Sequence, residues 1–405
     1  MKRIRDIGWM LIMLLLIACS GDGDSSDTKQ PAVINVYVFA PEKPIITRGD
    51  VGEVDPIDNS INESKITTLQ IWVFEHNTDN LVSYYSPESV DNLNNGTPGA
   101  TYQLSTSNAF SDAETKPKVD VYVVANVTAA NTGITTLGER TTRTALEAAL
   151  IEGNYFGLNT LTNNVPDAGL PMSGVLRGVS VTGSAPVYKI SNVTLTRAVS
   201  KIRFVFSREK VEPETDANKV KINSIKLDAS MIPTQEYLFL ETGENASAFH
   251  VDVGSYGTDD AKEFLPIVEN QVQALPDIAQ NADPMAYSYQ AGQDAQEYEN
   301  LINSGLTKTV KNDQNEDVLA PELTQVGPFY LRESGKLLTG SITFQKNDGT
   351  SEPKPVPFTM HQAGDFSRNH TWIVYAYYSA SGMVAVTVVV KDWNDVAKSH
   401  EVYNW

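Results

Sequence analysis

The chain has 405 residues, of which 41% are hydrophobic, and carries a formal net charge of −19. That length fits two domains better than one or three. The acidic balance argues against nucleic-acid binding, where basic patches supply most of the affinity, and suits a soluble, self-repelling surface protein.

Taken in chain order, Lys2, Arg3 and Arg5 precede the apolar run Trp9–Ile17, which is too short to span a bilayer as a helix. β-branched or alternating runs then recur: Val33–Ala40, Ile66–Glu75, Leu81–Tyr85, Val119–Val127, Val187–Thr196, Val199–Phe206, Val220–Leu227, Leu337–Gln345, Val356–His361, Thr371–Tyr378 and Met383–Trp393. The gaps are rich in Asn, Asp, Gly, Pro and Thr. One helix is predicted over Arg143–Glu152, with Leu146, Ala149 and Leu150 on one face and Thr141 or Thr142 as N-cap. A second short helix is predicted near Ala295–Ser304. The pattern is an all-β sandwich architecture. Asn192–Ser200 reads as a domain junction, with a bulge inside one domain as the alternative. The acidic stretch Gly254–Gln314 reads as a long insertion on the second domain.

Catalytic and metal signatures are absent from the sequence. His76, His250, His361, His370 and His400 are scattered, and none makes a metal-spaced pair. No nucleophile elbow, phosphate loop or dinucleotide fingerprint occurs. Asp22–Asp27 has carboxylates at calcium-loop spacing but lacks the glycine and glutamate such a loop needs. The expectation is no enzyme, no metal and no cofactor. Most aromatics, including Trp72 and Trp372, fall at core positions of strands. Outward rings from Tyr84-Tyr85 and Tyr377-Tyr378 leave a glycan-binding or adhesin surface open.

The start of the chain resembles a bacterial lipoprotein signal. Leu16-Ile17-Ala18-Cys19 looks like a lipobox, and Cys19 is the single cysteine of the chain. Acylation there, as in palmitate-carrying lipoproteins, attaches the protein to outer-membrane lipid and leaves no disulfide possible. Removing Met1–Ala18 takes away three positive charges and one negative, which leaves −21. The acidic Ser20–Asp27 resembles the export signals of surface lipoproteins of the Bacteroidota.

Six short motifs then fall in one order: Leu69-Gln70-Ile71-Trp72-Val73-Phe74, Tyr122-Val123-Val124-Ala125-Asn126, Leu170-Pro171-Met172-Ser173-Gly174, Leu195-Thr196-Arg197-Ala198-Val199-Ser200-Lys201, Arg368-Asn369-His370-Thr371-Trp372, and Val388-Val389-Val390-Lys391-Asp392-Trp393. The set resembles the Bacteroidales fimbrillin family, the subunits of surface fimbriae. The resemblance implies two tandem transthyretin-like β-sandwiches with a few short helices. It also implies export as an outer-membrane lipoprotein, cleavage by an arginine-specific protease, and polymerisation with other fimbrial subunits by strand exchange.

The residues fit that scheme independently. Val33–Ala40 places Ile34, Val36, Val38 and Ala40 on one face, as a groove filler requires. Pro41-Glu42-Lys43-Pro44 follows and is a poor ladder segment. Arg48 and Gly49 then offer a trypsin-like cleavage site in a polar stretch, and Arg48 is the first arginine of the mature chain; the alternative is that Val33–Ala40 is a permanent strand and Arg48 a solvent residue. Arg48-Gly49-Asp50 also spells an integrin tripeptide, which a cut there destroys. A lost strand exposes unpaired backbone and an apolar groove, which strand addition from a neighbour fills; a head-to-tail interface of that kind makes filaments. The candidate donor lies within Met383–Trp405, through Val384, Val386, Val388, Val390, Trp393, Val402 and Trp405. The alternative is that Met383–Trp393 completes the second sandwich.

The organisation expected is therefore a signal peptide over 1–18 and an acylated tether with a removable strand over 19–48. A first sandwich follows over 49–196, a second over 197–382, and a C-terminal strand with tail over 383–405. The functional expectation is a fimbrial subunit supporting cell adhesion, with a possible host or bacterial receptor. A tip adhesin or glycan-binding surface lipoprotein is the alternative.

Overall fold

The computed structural model describes residues 32–40, 63–94, 98–106, 117–152, 156, 165–184, 186–209, 215, 217, 220–239, 261–263, 277–278, 307–311, 317–321, 324–346, 348–359, 366–378, 382 and 384–392. Strands β1 (Ala32–Phe39), β2 (Leu69–Glu75) and β3 (Leu81–Tyr85) come first, then a helical turn α1 (Asp91–Asn94) and β4 (Gly99–Thr106). Next are β5 (Lys118–Ala125), α2 (Ala129–Thr132), α3 (Arg143–Glu147) and β6 (Leu150–Ile151). The long β7 (Met172–Ser180) and four short pieces finish the first half: β8 (Thr182–Ser184), β9 (Val187–Lys189), β10 (Val193–Thr194) and β11 (Thr196–Arg197). The second half holds β12 (Ser200–Glu209), β13 (Val220–Asp228), β14 (Glu236–Tyr237), β15 (Ala261–Glu263), β16 (Asp277–Ile278), β17 (Thr307–Lys311) and β18 (Asp317–Pro321). It ends with β19 (Thr324–Leu331), β20 (Thr339–Lys346), β21 (Lys354–Thr359), β22 (His370–Tyr378) and β23 (Val384–Asp392).

These strands make two tandem β-sandwiches. In the first, a sheet ordered β10-β1-β9-β8, with β4 also on β1, faces a sheet ordered β11-β7-β5-β2-β3. Ile34, Val36, Tyr102 and Leu104 from one sheet share a core with Leu69, Ile71, Val121 and Val123 from the other. In the second, β16-β12-β22-β23, with β19 on β12, faces β15-β13-β20-β21 around Phe204, Phe344, Trp372 and Val374.

The sheet holding β2 and β5 is buried on both faces. Its far face is covered by the 134–152 region and by residues from the second half. The Trp72 indole donates to the Gly138 carbonyl at 2.9 Å, and Phe239 packs edge-on to Tyr122 with centroids 5.2 Å apart. Double burial is why β2 and β5 read as continuous apolar runs rather than alternating ones.

The helix over Arg143–Glu152 is shorter than its pattern. The Thr142 hydroxyl caps it by accepting from Ala145 N–H, but α3 ends at Glu147 and Leu150–Ile151 becomes a strand paired with Glu236–Tyr237. Tertiary pairing there overrides helical propensity. The Val187–Thr196 run is also divided. β9 and β10 both pair β1 in parallel, Asn35 with Lys189 and Val38 with Val193. Ile190, Ser191 and Asn192 therefore stand opposite Val36 and Tyr37, a one-residue bulge. Thr196–Arg197 then joins the opposite sheet, and Ser200 opens β12 in the second sandwich. The helix expected near Ala295–Ser304 and most of the Gly254–Gln314 insertion lie outside the described residues.

Candidate functional site

The site of interest is the seat of β1. β1 is an internal strand: β4 pairs it antiparallel at every position from Ala32↔Thr106 to Phe39↔Gly99, and β9 and β10 flank it on the other side. Its burial alternates strictly. Ile34, Val36 and Val38 have 0% exposure and Ala40 8%, so all four predicted groove-filling residues face the core. At roughly 25 cal/mol per Å2 of apolar surface, full burial of each branched side chain is worth about 1.5–3 kcal/mol. Val33 N–H donates to the Pro186 carbonyl at 2.8 Å, and Leu195 N–H to the Phe39 carbonyl at 3.0 Å. The Thr106 hydroxyl donates to the Ala32 carbonyl at 3.1 Å.

Two residues of β4 shape the seat. A Cβ on Gly99 would stand 2.3 Å from the Val38 carbonyl oxygen and 2.8 Å from the Tyr37 ring, so the strands approach there only because the side chain is missing. Tyr102, opposite Val36, is 5% exposed, and its hydroxyl has no hydrogen-bond partner. Burial, with Tyr85 beside it, pushes that hydroxyl up to about 12. On the outer face, Tyr37 and Phe39 meet edge to face with centroids 4.8 Å apart.

The remaining predicted site residues divide into two groups. Val384 and Val386 are half-buried and Val388 is buried against the second core, while Val390 pairs with Trp372 in the β22–β23 ladder. β23 runs antiparallel to β22 from His370↔Asp392 to Tyr378↔Val384, and among the described residues it pairs with no other strand. Cys19, Arg48, Gly49, Trp393, Val402 and Trp405 lie outside the described residues. In the sequence, β1 continues to the rest of the chain through residues 41–62, which contain Arg48.

A second cluster joins the two sandwiches. Arg197 has 0% exposure; its guanidinium donates to the Glu63 carbonyl at 3.1 Å, to Ser64 Oγ at 2.9 Å and to Asn369 Oδ1 at 3.3 Å. Burial lowers its pKa to about 10 against the opposing pull of Glu63 and Tyr330. The Glu63 carboxylate accepts from Lys201 Nζ at 2.8 Å and the Tyr330 hydroxyl at 2.7 Å. Arg368, also buried, donates to Glu333 Oε1 from Nη2 at 2.6 Å and from Nε at 2.9 Å, and to the Leu238 and Tyr237 carbonyls at 3.0 and 2.6 Å. Glu236 Oε1 is 3.0 Å from the same guanidinium. Burial pushes the Glu236 carboxyl well above the usual range, with Arg368 opposing.

The six sequence motifs lie side by side along this path. Leu69 pairs with Ala125, Ala125 with Met172, and Met172 with Arg197. Lys201 pairs with Thr371, and Trp372 with Val390. The motifs thus form one seam from the first sandwich through the junction into the second. Sequence reasoning missed β4, whose alternation of buried Ala100, Tyr102, Leu104 and Thr106 with Thr101, Gln103 and Ser105 was legible in principle. It also missed Glu63, Glu236 and Glu333, since nothing local marks a buried carboxylate. Among the described residues, no group of three His, Cys, Asp or Glu could hold a metal ion.

Comparison with known proteins gives a family match over residues 47–224, somewhat under half of the chain, to the major fimbrial subunit protein (FimA). That stretch is similar to the fimbrillin family of fimbrial subunits. No curated protein sequence matches the chain. Among solved structures, the C-terminally truncated tip fimbrial protein Mfa3 from Porphyromonas gingivalis is 15% identical, with 90% of this chain and 100% of that one covered at a TM-score of 0.46. A fimbrilin from Porphyromonas gingivalis W83 is 14% identical over 91% and 99% of the two chains, TM-score 0.42. A fimbrial assembly protein from Parabacteroides distasonis is 12% identical over 93% and 100%, TM-score 0.42. The fimbrillin match starts one residue before Arg48, so β1 lies outside it.

Proposed function

We propose that this chain is a structural subunit of a bacterial surface fimbrium that polymerises by exchanging its first strand. In this reading it is exported as a lipoprotein acylated at Cys19 and cut between Arg48 and Gly49 by an arginine-specific protease. The freed strand leaves, and a strand from another subunit takes the seat. The observation that carries the reading is the placement of β1. It is an internal strand with a fully buried face, yet in sequence it precedes the fimbrillin match, and residues 41–62, which contain Arg48, link it to the rest of the described chain. A single cut at Arg48 leaves β1 held by noncovalent contacts alone. Its departure exposes eight ladder positions of β4 and an apolar groove, which strand addition fills with main-chain hydrogen bonds and alternating side chains.

The donor lies within Met383–Trp405. β23 is already paired along its length with β22, so the part beyond it, with Trp393, Val402 and Trp405, is the portion best placed in sequence to donate without dismantling the second sandwich. Adhesion follows from the fimbrillin similarity, and the receptor is a cell-surface partner of either host or bacterial origin.

Mild trypsin digestion of the chain lacking its signal, with mass spectrometry and electron microscopy, tests the proposal. A cut at Arg48-Gly49 followed by filaments, both lost in Arg48→Ala, is the expected result. Resistance at Arg48, or a cut that yields monomers alone, overturns it. Filaments that persist after deletion of Asn394–Trp405 would move the donor into β23.

A further inference from the structure

β1 is seated tightly except at one residue. Ile34, Val36 and Val38 are fully buried, and the antiparallel flank is paired through all eight positions. Asn35, in the middle of the strand, differs in both side chain and backbone. Its side-chain oxygen is buried and has no hydrogen-bond partner. Its carbonyl oxygen accepts from Ile190 N–H at 3.4 Å, against 2.8 Å for Val33 N–H to Pro186 and 3.0 Å for Leu195 N–H to Phe39. It is also the last parallel pair before the bulge at Ile190–Asn192. Its cross-strand neighbours, Gln103 and Lys189, are exposed polar residues, and neither supplies the missing donor. Asparagine is itself depleted in strands, and a buried acceptor left without a donor forfeits its hydration with nothing in return.

We infer that Asn35 sets the rate at which the first strand leaves its seat, acting as a weak point that makes β1 the displaceable occupant of its own groove. The inference rests on the strand-exchange reading above and names the residue that gives exchange its direction. An incoming strand from a second copy that carries Val, Ala or Thr at this register removes the orphan oxygen while keeping the same main-chain ladder. It therefore binds the groove more tightly than β1 does. Asn35 is a positioning residue in this scheme.

The test uses the full mature chain nicked at Arg48, with an excess of a fluorescent synthetic peptide of residues 32–40 as the trap for the vacated groove. Asn35→Val removes the orphan oxygen and is expected to slow release of the nicked fragment about ten-fold or more. Asn35→Asp keeps the shape, adds charge to the buried oxygen and is expected to speed it. Equal rates in the three proteins, or the reverse order, overturn the inference. A nicked wild-type chain that never takes up the peptide sinks the exchange reading instead. In that case the melting order of the intact chains still decides the role of Asn35: Val above Asn above Asp supports a weak seat, and a flat or inverted order refutes it.

Discussion

Ile34 and Leu104 form a matched pair that distinguishes a removable strand from a permanent one. They face each other across the β1–β4 ladder, and both have 0% exposure in the same core. Truncating a fully buried Ile or Leu to Ala costs about 2–5 kcal/mol through lost transfer energy and the cavity left behind. For a sandwich of this size each kcal/mol lowers the melting temperature by roughly 2–4 °C, so either variant should melt about 5–15 °C lower as the intact chain. The difference comes after cleavage and assembly. Leu104 stays in the groove wall, so filaments of Leu104→Ala should be weakened by a similar amount. Ile34 departs with the strand, so filaments of Ile34→Ala should dissociate at the wild-type guanidinium concentration. Melting of intact chains by circular dichroism, and denaturant-induced loss of sedimentable filament, give both halves of the comparison. Equal weakening of the two filaments would mean that β1 never leaves, and the exchange reasoning would be wrong.

Other expectations follow from the same geometry. Gly99→Ala places a methyl group against the Val38 carbonyl, 2.3 Å away, and should destabilise the intact first sandwich by about 1–3 kcal/mol in thermal melts. Arg368→Met strands the Glu333 carboxylate and removes the guanidinium beside Glu236 in the junction, and should cost about 3–5 kcal/mol in denaturant titrations. Burial opposes ionisation of Asp120, but the Asn77 N–H, the His76 ring and the Gly178 N–H outweigh it and hold its carboxyl below the ordinary value of 3.8. The stability this gives is present above that value and lost as pH falls through the folded pKa, so the deficit of Asp120→Asn, about 1–3 kcal/mol near neutrality, should shrink in acid.

The strands that were legible from sequence are those whose burial has a simple period. β1 alternates, β2 and β5 are apolar on both faces, and β3 and β22 carry aromatic and β-branched residues throughout. β4 and β7 read weakly because small or polar residues share their buried positions with Tyr102, Leu104 and Met172: Ala100, Thr106 and Ser173 are buried by position, not by hydropathy. The inward face of β1 was readable for the same reason that its seat was not. Alternation is a property of one strand, whereas the bulge opposite Val36–Tyr37 and the orphan oxygen of Asn35 depend on neighbours far along the chain. The junction carboxylates were hidden likewise. A Glu in sequence reads as solvent-facing, and only the arrival of Arg368 beside Glu333 and Glu236, and of Lys201 and Tyr330 beside Glu63, from far along the chain makes burial tolerable.

The division of labour between the two sheets of the first sandwich bears on why losing β1 need not unfold the chain. The ladder-paired motif residues lie in the β11-β7-β5-β2-β3 sheet or in β12, β22 and β23, and the fourth motif touches β1 through the Leu195 N–H to the Phe39 carbonyl. That seam is sealed at the junction by Arg197, Glu63, Lys201 and Tyr330 and by Arg368 with Glu333, while Leu238 and Phe239 cover its far face. Removing β1 therefore strips the opposite sheet and leaves this framework in place. Glu236 gives a way to test that independence. Burial raises its pKa, with Arg368 opposing, so the folded chain holds the proton more tightly than the unfolded one. The stability linked to that proton is complete below the ordinary carboxylate range and is lost as pH rises through the raised folded value. Glu236→Gln removes the titration, so its stability relative to wild type should improve with rising pH in denaturant melts. Release of β1 from the nicked chain should not change across the same pH interval, because the seat carries no carboxylate among the described residues and Tyr102 titrates near 12. A release rate that follows the Glu236 titration would show that junction and seat are one cooperative unit and that the framework does not stand independently of β1.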